Sequence, residues 1–251
     1  MGATDPEVAK RNALAEERIK NLTLPALRPE SVKALDDNLK RTEGRYDLIK
    51  TVATRHGVDP DELYAKYVIE TRGSANPESP GTSGAGASGP FQLMPNTRKA
   101  FEQADITDPF ERDADAAARL MADIQQRNDL SPDALSVAYN LGEGSLRKYG
   151  GDATSSLPGE TTNYLAYSRY LRPQLRKQTM DTELAQAASA VPAPKYRDTG
   201  FLEDTGRVIA RTVAGYKSSE TDDAIADYDR KVAAAKAAKQ AELDQRYKET
   251  R

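Results

Sequence analysis

The chain has 251 residues, 38% hydrophobic and 30% charged, so one compact core drawing on all of them would be thin, and a medium domain with extensions fits better. Lys+Arg 36 against Asp+Glu 39 leaves a net charge of -3 and no nucleic-acid signal. Zero cysteines exclude disulfides, thiolate catalysis and thiolate metal sites; no apolar run approaches the roughly 18 residues of a membrane span.

Residues 6–20 read as a weakly amphipathic helix, broken by Pro25 and Pro29. Ser31 reads as the N-cap of a longer helix, with Val32, Leu35, Leu39, Tyr46, Ile49 and Val52 in helical register as far as His56 and Gly57, and Gly44 as an interruption. Asp59 and Pro60 start the next, whose apolar face of Leu63, Tyr64, Tyr67, Val68 and Ile69 leads into Glu70. Residues 73–90 are rich in Gly, Ser and Pro and predict a loop. Helices follow over 95–104, over 109–128, from Ser131 into a turn at Gly142 to Gly144, and from Thr161 to a stop at Pro173. Residues 185–194 read as a linker, and 221–251 form an Ala/Lys-rich helix with a thin stripe of Ile225, Tyr228, Val232 and Leu243. β-type alternation is nearly absent, so the expected fold class is all-α.

Glu70 is the chemical focus. A carboxyl after Tyr67, Val68 and Ile69 has apolar surroundings that favour its protonated form, and the small-residue loop behind it lets backbone approach a ligand. A lone glutamate at a helix end is ordinarily just solvated. Glu78, in the variable loop, reads as solvated; the acidic residues at 105–115 lack calcium-loop spacing; Met94 reads as core. His56 has no second histidine to make a metal site, and neither a metal nor any other cofactor is called for.

Four elements occur in order: Glu70-Thr71; Ser83-x-x-Gly86-Ala87-x-Gly89-x-x-Gln92 with Met94-Pro95; Ala138-Tyr139-Asn140-Leu141-Gly142; and Glu160-Thr161-Thr162-Asn163-Tyr164. Together they resemble the catalytic domain of soluble-type (family 1) lytic transglycosylases, a goose-lysozyme-like group. Three departures stand out: Thr71 for a serine, a longer interval from Glu70 to Ser83, and Pro90-Phe91 where Leu-Met is frequent. The resemblance implies a lysozyme-like transglycosylase domain over 44–178, with a helical N-terminal extension at 1–43, a largely irregular linker at 179–220 and a C-terminal helix at 221–251. It implies cleavage of the β-1,4 bond between N-acetylmuramic acid and N-acetylglucosamine in peptidoglycan strands, with Glu70 as the single acid and base and a 1,6-anhydro product. Ser83, Gln92, Tyr139, Asn140, Glu160 and Tyr164 would then bind substrate. The competing readings are core packing for Tyr139, a helix-start cap for Gln92 and a helix-dipole partner for Glu160.

The setting stays open. The N-terminus lacks the basic-then-apolar order of a secretory signal, and residues 138–144 are similar to the transglycosylase domain of internal virion (ejection) proteins of short-tailed phages. This points to an enzyme carried in the virion that acts in the host periplasm, with other virion proteins or self-association through the terminal helices as partners. The alternatives are a bacterial periplasmic enzyme of wall remodelling or secretion, and a catalytically silent glycan-binding component of an assembly.

Overall fold

The structure, a computed structural model, describes residues 5–192, 203–204, 207–208 and 219–249. Among the described residues it is all-α apart from one short antiparallel strand pair, Glu203–Asp204 with Arg207–Val208, and isolated bridges at Ser88. The helices are α1 (Pro6–Lys20), α2 (Pro29–Thr42), α3 (Tyr46–Arg55), α4 (Pro60–Glu70), α5 (Pro95–Phe101), α6 (Pro109–Asn128), α7 (Pro132–Leu141), α8 (Glu143–Gly151), α9 (Gly159–Ser189) and α10 (Ser219–Glu249). A 3₁₀ turn at Glu43–Arg45 marks the interruption expected at Gly44. Local chemistry fixes most starts: α1, α4, α6 and α7 have proline in the first turn and an Asp or Ser cap (Asp5, Asp59, Asp108, Ser131) accepting a first-turn amide.

Two compact units result, residues 1–175 and 176–251. In the first, α4 is the central helix, packed by α2, α3 and α6 and buried at every position from Asp61 to Ile69. Tyr67 is stacked between Phe91 (5.6 Å) and Phe110 (5.0 Å, edge to face). Phe91, a departure at sequence level, therefore anchors the loop by filling this aromatic cluster.

The N-terminal helices are part of this core: Ala15, Ile19 and Leu35 are fully buried. Helix α1 crosses α8 so closely that a Cβ at Gly150 would lie 1.9 Å from the Arg11 carbonyl oxygen. Arg18 of α1 lies 3.8 Å over the Tyr149 ring and donates to the carbonyls of Tyr149, Asp152 (2.8 Å) and Ser155. The Glu16 carboxylate accepts the Ser131 amide (2.7 Å) and hydroxyl. One helix thus closes the end of α8 and the start of α7.

In this unit four expectations need correction. α2 starts at Pro29 with Arg28 as N-cap, because proline at the first helical position outweighs the Ser31 hydroxyl. The turn expected at Gly142 to Gly144 instead opens a helix, α8, which starts at Glu143 and is stabilised by its packing on α1. Met94 is 44% exposed, since Phe91 and Leu93 already fill the core beside it. Pro173 does not end α9, although proline inside a helix costs about 3 kcal/mol. Leu171 and Leu175 are buried on either side of it and Arg172 makes ion pairs with Glu62 and Asp133, so tertiary contacts hold the helix through the break.

In the second unit the distal part of α9 pairs with α10. Glu183 bridges Lys239 (3.0 Å) and Arg246 (2.8 Å), Arg176 stacks 4.1 Å over the Tyr247 ring, and Leu243 is buried. Residues 179–189, expected as linker, are helical; 193–202 and most of 205–218 lie outside the described residues, as does the Ile225 side chain. Among the described residues, no helix is long and apolar enough to cross a membrane.

Candidate active site

Glu70 is the last residue of α4, where the helix leaves the core. Its backbone is held firmly. The Asn38 side-chain amide on α2 donates to the Val68 carbonyl and to Thr71 Oγ1 (both 2.8 Å), and the Thr71 hydroxyl donates to the Tyr67 carbonyl (2.7 Å). Thr71 is fully buried, so this hydroxyl builds the helix end and does not face substrate.

The Glu70 side chain is half-buried, yet protein atoms surround its carboxyl closely, and desolvation pushes its pKa up from 4.5 to about 7. Tyr164, Arg72 and Lys66 oppose that rise, in that order, and Glu160 adds to it. The carboxyl therefore exchanges its proton near neutral pH, as a group that must serve both as acid and as base requires.

The loop after Glu70 is stapled to the domain. Glu78 is exposed, as expected, and pairs with Arg45 (2.6 Å), whose guanidinium stacks 4.7 Å from the Phe110 ring. Ser83 Oγ accepts the Ala87 amide (3.0 Å), and the Gln92 side-chain amide donates to the carbonyls of Gly81 (3.2 Å) and Gly89 (2.9 Å). These groups shape the loop itself. Arg98 pairs with Asp113 and donates to the Ser88 carbonyl (2.9 Å). Gly89 is required here: its φ is +74° and a Cβ would lie 2.1 Å from Asp113 Oδ2.

Helices α7 and α9 carry the remaining expected site residues. Tyr139 Oη donates to the Phe91 carbonyl (2.8 Å), and Asn140 Oδ1 accepts the Thr161 hydroxyl (2.8 Å). Tyr164 is buried, and its hydroxyl makes no hydrogen bond of ordinary length and angle among the described residues. It still couples to the Glu70 carboxyl, each shifting the other; burial first and Glu70 next raise the pKa of Tyr139 and of Tyr164 well above the usual phenol value. Glu160 is exposed in the first turn of α9. Tyr139, Tyr164 and Glu160 are thus each within electrostatic reach of Glu70, whereas Ser83 and Gln92 act in the loop.

Residues 47–158 match the family model described as Transglycosylase SLT domain. This stretch is a lytic transglycosylase domain of the soluble type. Its activity is that of a peptidoglycan lytic transglycosylase, and its fold is the all-α lysozyme-like SLT domain with helical extensions. The match spans Glu70, the loop and the Tyr139-Asn140 element. It stops before Glu160 and Tyr164, and α1 and α2 lie ahead of it.

Two features of this transglycosylase escaped sequence reasoning. Arg72, exposed just past Glu70, lies 4.6 Å from the Tyr167 ring centre and donates to the Ile69 carbonyl (2.6 Å). Below Glu70 lies an ionic ladder, buried at Lys66 and Glu62 and partly buried beyond: Arg172 binds Glu62 and Asp133 (2.8 Å), Arg169 binds Asp133 (2.8 Å), and Lys66 stands 3.7 Å from Glu62. An alternation of charges spread over residues 62, 66, 133, 169 and 172 leaves no sequence-local signature. His56, away from this site, bonds the buried Asp115 (2.6 Å), which also binds Arg55 and Arg119. Among the described residues no group of three or more His, Cys, Asp or Glu side chains is arranged to hold a metal ion.

Proposed function

We propose that Glu70 is the single acid and base of this transglycosylase, acting on the β-1,4 bond between N-acetylmuramic acid and N-acetylglucosamine. What supports this is its half-buried carboxyl, whose pKa burial pushes up to about 7, coupled to the buried Tyr164 hydroxyl, which has no other hydrogen-bond partner among the described residues. Glycosidases that hydrolyse their substrate ordinarily use two carboxyls. The other carboxyl felt at Glu70, that of Glu160, is exposed at a helix N-terminus, where the helix dipole favours negative charge, and Glu78 is committed to Arg45.

In the first step Glu70 donates its proton to the glycosidic oxygen as the bond from C1 breaks, and the acetamido group of the muramic residue stabilises the developing cation. The carboxylate that remains is steadied by the Tyr164 hydroxyl. In the second step it takes the proton of the muramic C6 hydroxyl while O6 bonds to C1. Glu70 ends protonated, no water is consumed, and the product carries a 1,6-anhydro ring. Tyr139 and Asn140 line the bound sugars, with the Asn140 amide Nδ2 available as donor because its Oδ1 holds Thr161. Ser83 and Gln92 contribute by presenting loop backbone to substrate, and Glu160 borders the site.

Clearing of purified peptidoglycan by the protein, its loss in Glu70→Gln, and anhydro ends in the products by mass analysis are the expected results. Equal clearing by both proteins refutes the role of Glu70. Ordinary reducing ends refute the anhydro route and mean hydrolysis.

The enzyme is further proposed to be carried in a phage particle and to open the wall locally during genome delivery, acting in the host periplasm. The support is the similarity of residues 138–144 to internal virion proteins. Immunoblotting of purified virions tests this, and absence of the protein there favours a bacterial periplasmic role.

A further inference from the structure

Lys66 lies one helical turn before Glu70 on α4, a spacing at which side chains face each other with Cβ atoms roughly 5–6 Å apart. It is completely buried, an expensive place for an ammonium group, although an unbranched apolar side chain would fill the same volume. The protein provides for the charge. Lys66 Nζ donates to Ser136 Oγ on α7 (2.6 Å), stands 3.7 Å from Glu62 Oε2 and lies 5.5 Å from the centre of the Tyr164 ring. Glu62 is in turn held by Arg172, and Arg172 by Asp133. Glu62, Lys66 and Glu70 therefore follow one another at four-residue intervals on one face of α4, negative, positive, then the reacting carboxyl.

We propose that Lys66 is a positioning residue of the transglycosylase: its buried ammonium sets how readily Glu70 releases its proton and stabilises the carboxylate left after the first step. The proposal rests on Glu70 being the acid and base. The groups facing Glu70 are Lys66 on its own helix, Tyr164 and Glu160 from α9, Tyr139 from α7, and Arg72 from the turn that follows. Arg72 and Glu160 are exposed, so water and salt screen them. Tyr139 and Tyr164 are neutral. Lys66 is the charged partner whose field acts without solvent between. Burial draws its pKa down to about 8, with Glu62 the strongest influence holding it up and Glu70 another, so it carries its charge at the pH where Glu70 exchanges protons.

Lys66→Met keeps length and volume and removes the charge. Because kcat/KM requires protonated Glu70 in the free enzyme, it falls as pH rises past the Glu70 pKa. Without Lys66 that descending limb should move up by about 1 pH unit, and Lys66→Arg should return it to the wild-type position. An unmoved limb in Lys66→Met, or an equal displacement in both variants, overturns the proposal. A lysine with a purely structural role would change melting temperature and leave the limb in place. Glu70→Gln, assayed alongside, separates the two assignments: if it retains activity the Glu70 role fails, and if it is inactive while the Lys66→Met limb is unmoved, only the Lys66 role fails. A second measurement does not depend on folding of the Lys66 variants. The Lys66 side chain, followed by NMR of 13C-lysine-labelled protein, should titrate near 8 in the wild type and lower by about the same 1 pH unit in Glu70→Gln, since coupling between two sites is reciprocal. Identical Lys66 titrations in the two proteins overturn it.

Discussion

Replacing Glu70 by Gln should remove activity and, above neutral pH, make the protein more stable. The folded protein holds this carboxyl at a pKa of about 7 against 4.5 for a free side chain, chiefly by burial. A folded pKa raised in this way gives a contribution that is whole below pH 4.5 and is lost as pH rises through 7, because the folded state must then carry a poorly solvated negative charge. The gap between 4.5 and about 7, at ~1.4 kcal/mol for each tenfold change in proton affinity, comes to about 3 kcal/mol. The side chain is half-buried, so this is an upper bound. Glutamine has nearly the same shape and does not titrate. Urea unfolding of the two proteins should therefore give equal stabilities near pH 4, a difference that opens between pH 5 and 7, and a variant more stable by up to about 3 kcal/mol at pH 8. Clearing of peptidoglycan should fall about 100-fold to 10,000-fold, the usual contribution of one acid-base group. A stability difference that is flat from pH 4 to pH 8 would show that Glu70 is not desolvated in the folded state, and the physical basis for its catalytic role would go with it.

Other substitutions probe the frame around the site. Asp115→Asn removes the buried carboxylate shared by His56, Arg55 and Arg119 and should cost about 2 kcal/mol at pH 7. The Asp115 pKa is lowered in the fold despite the cost of burial, through His56 and Arg119, so its stabilising contribution exists above 3.8 and fades on acidification; urea curves for the two proteins should converge below about pH 4. Gly150→Ala places a methyl 1.9 Å from the Arg11 carbonyl oxygen, so α1 and α8 must move apart, at a cost of about 3 kcal/mol or more by thermal unfolding. A cost under about 0.5 kcal/mol would mean that α1 does not pack as described. Tyr139→Phe deprives the Phe91 carbonyl of its donor and should destabilise the domain by about 1 kcal/mol. Because this bond ties α7 to the loop, KM for peptidoglycan should rise more than melting temperature suggests; an unchanged KM would separate the loop from substrate binding.

The parts of this transglycosylase that were legible in sequence are those built from neighbours in the chain. Asp59 and Pro60 start α4, the apolar residues before Glu70 mark it as an acid in poor solvent, and the Gly/Ser-rich stretch after it must be a loop. What was hidden depends on groups brought together over long separations. Lys66, between Ala65 and Tyr67, has the spacing of a solvated face, because nothing near it announces that α2, α3 and α6 cover α4 on several sides. Its partner Ser136 is 70 residues away, and the arginine that completes the ladder, Arg172, is 110 residues from Glu62. The same holds for Pro173, where local propensity says stop and the burial of Leu171 and Leu175 carries the helix on. The N-terminal helix reads as a weakly amphipathic extension, yet Gly150 was shaped to receive it and Arg18 and Glu16 close the ends of α8 and α7. Helix α7 carries Tyr139 and Asn140, so α1 braces the helix that bears two of the site residues. The position of the reacting carboxyl is thus written locally, and its proton affinity, through Lys66, Tyr164 and the depth of its burial, is written by the whole fold.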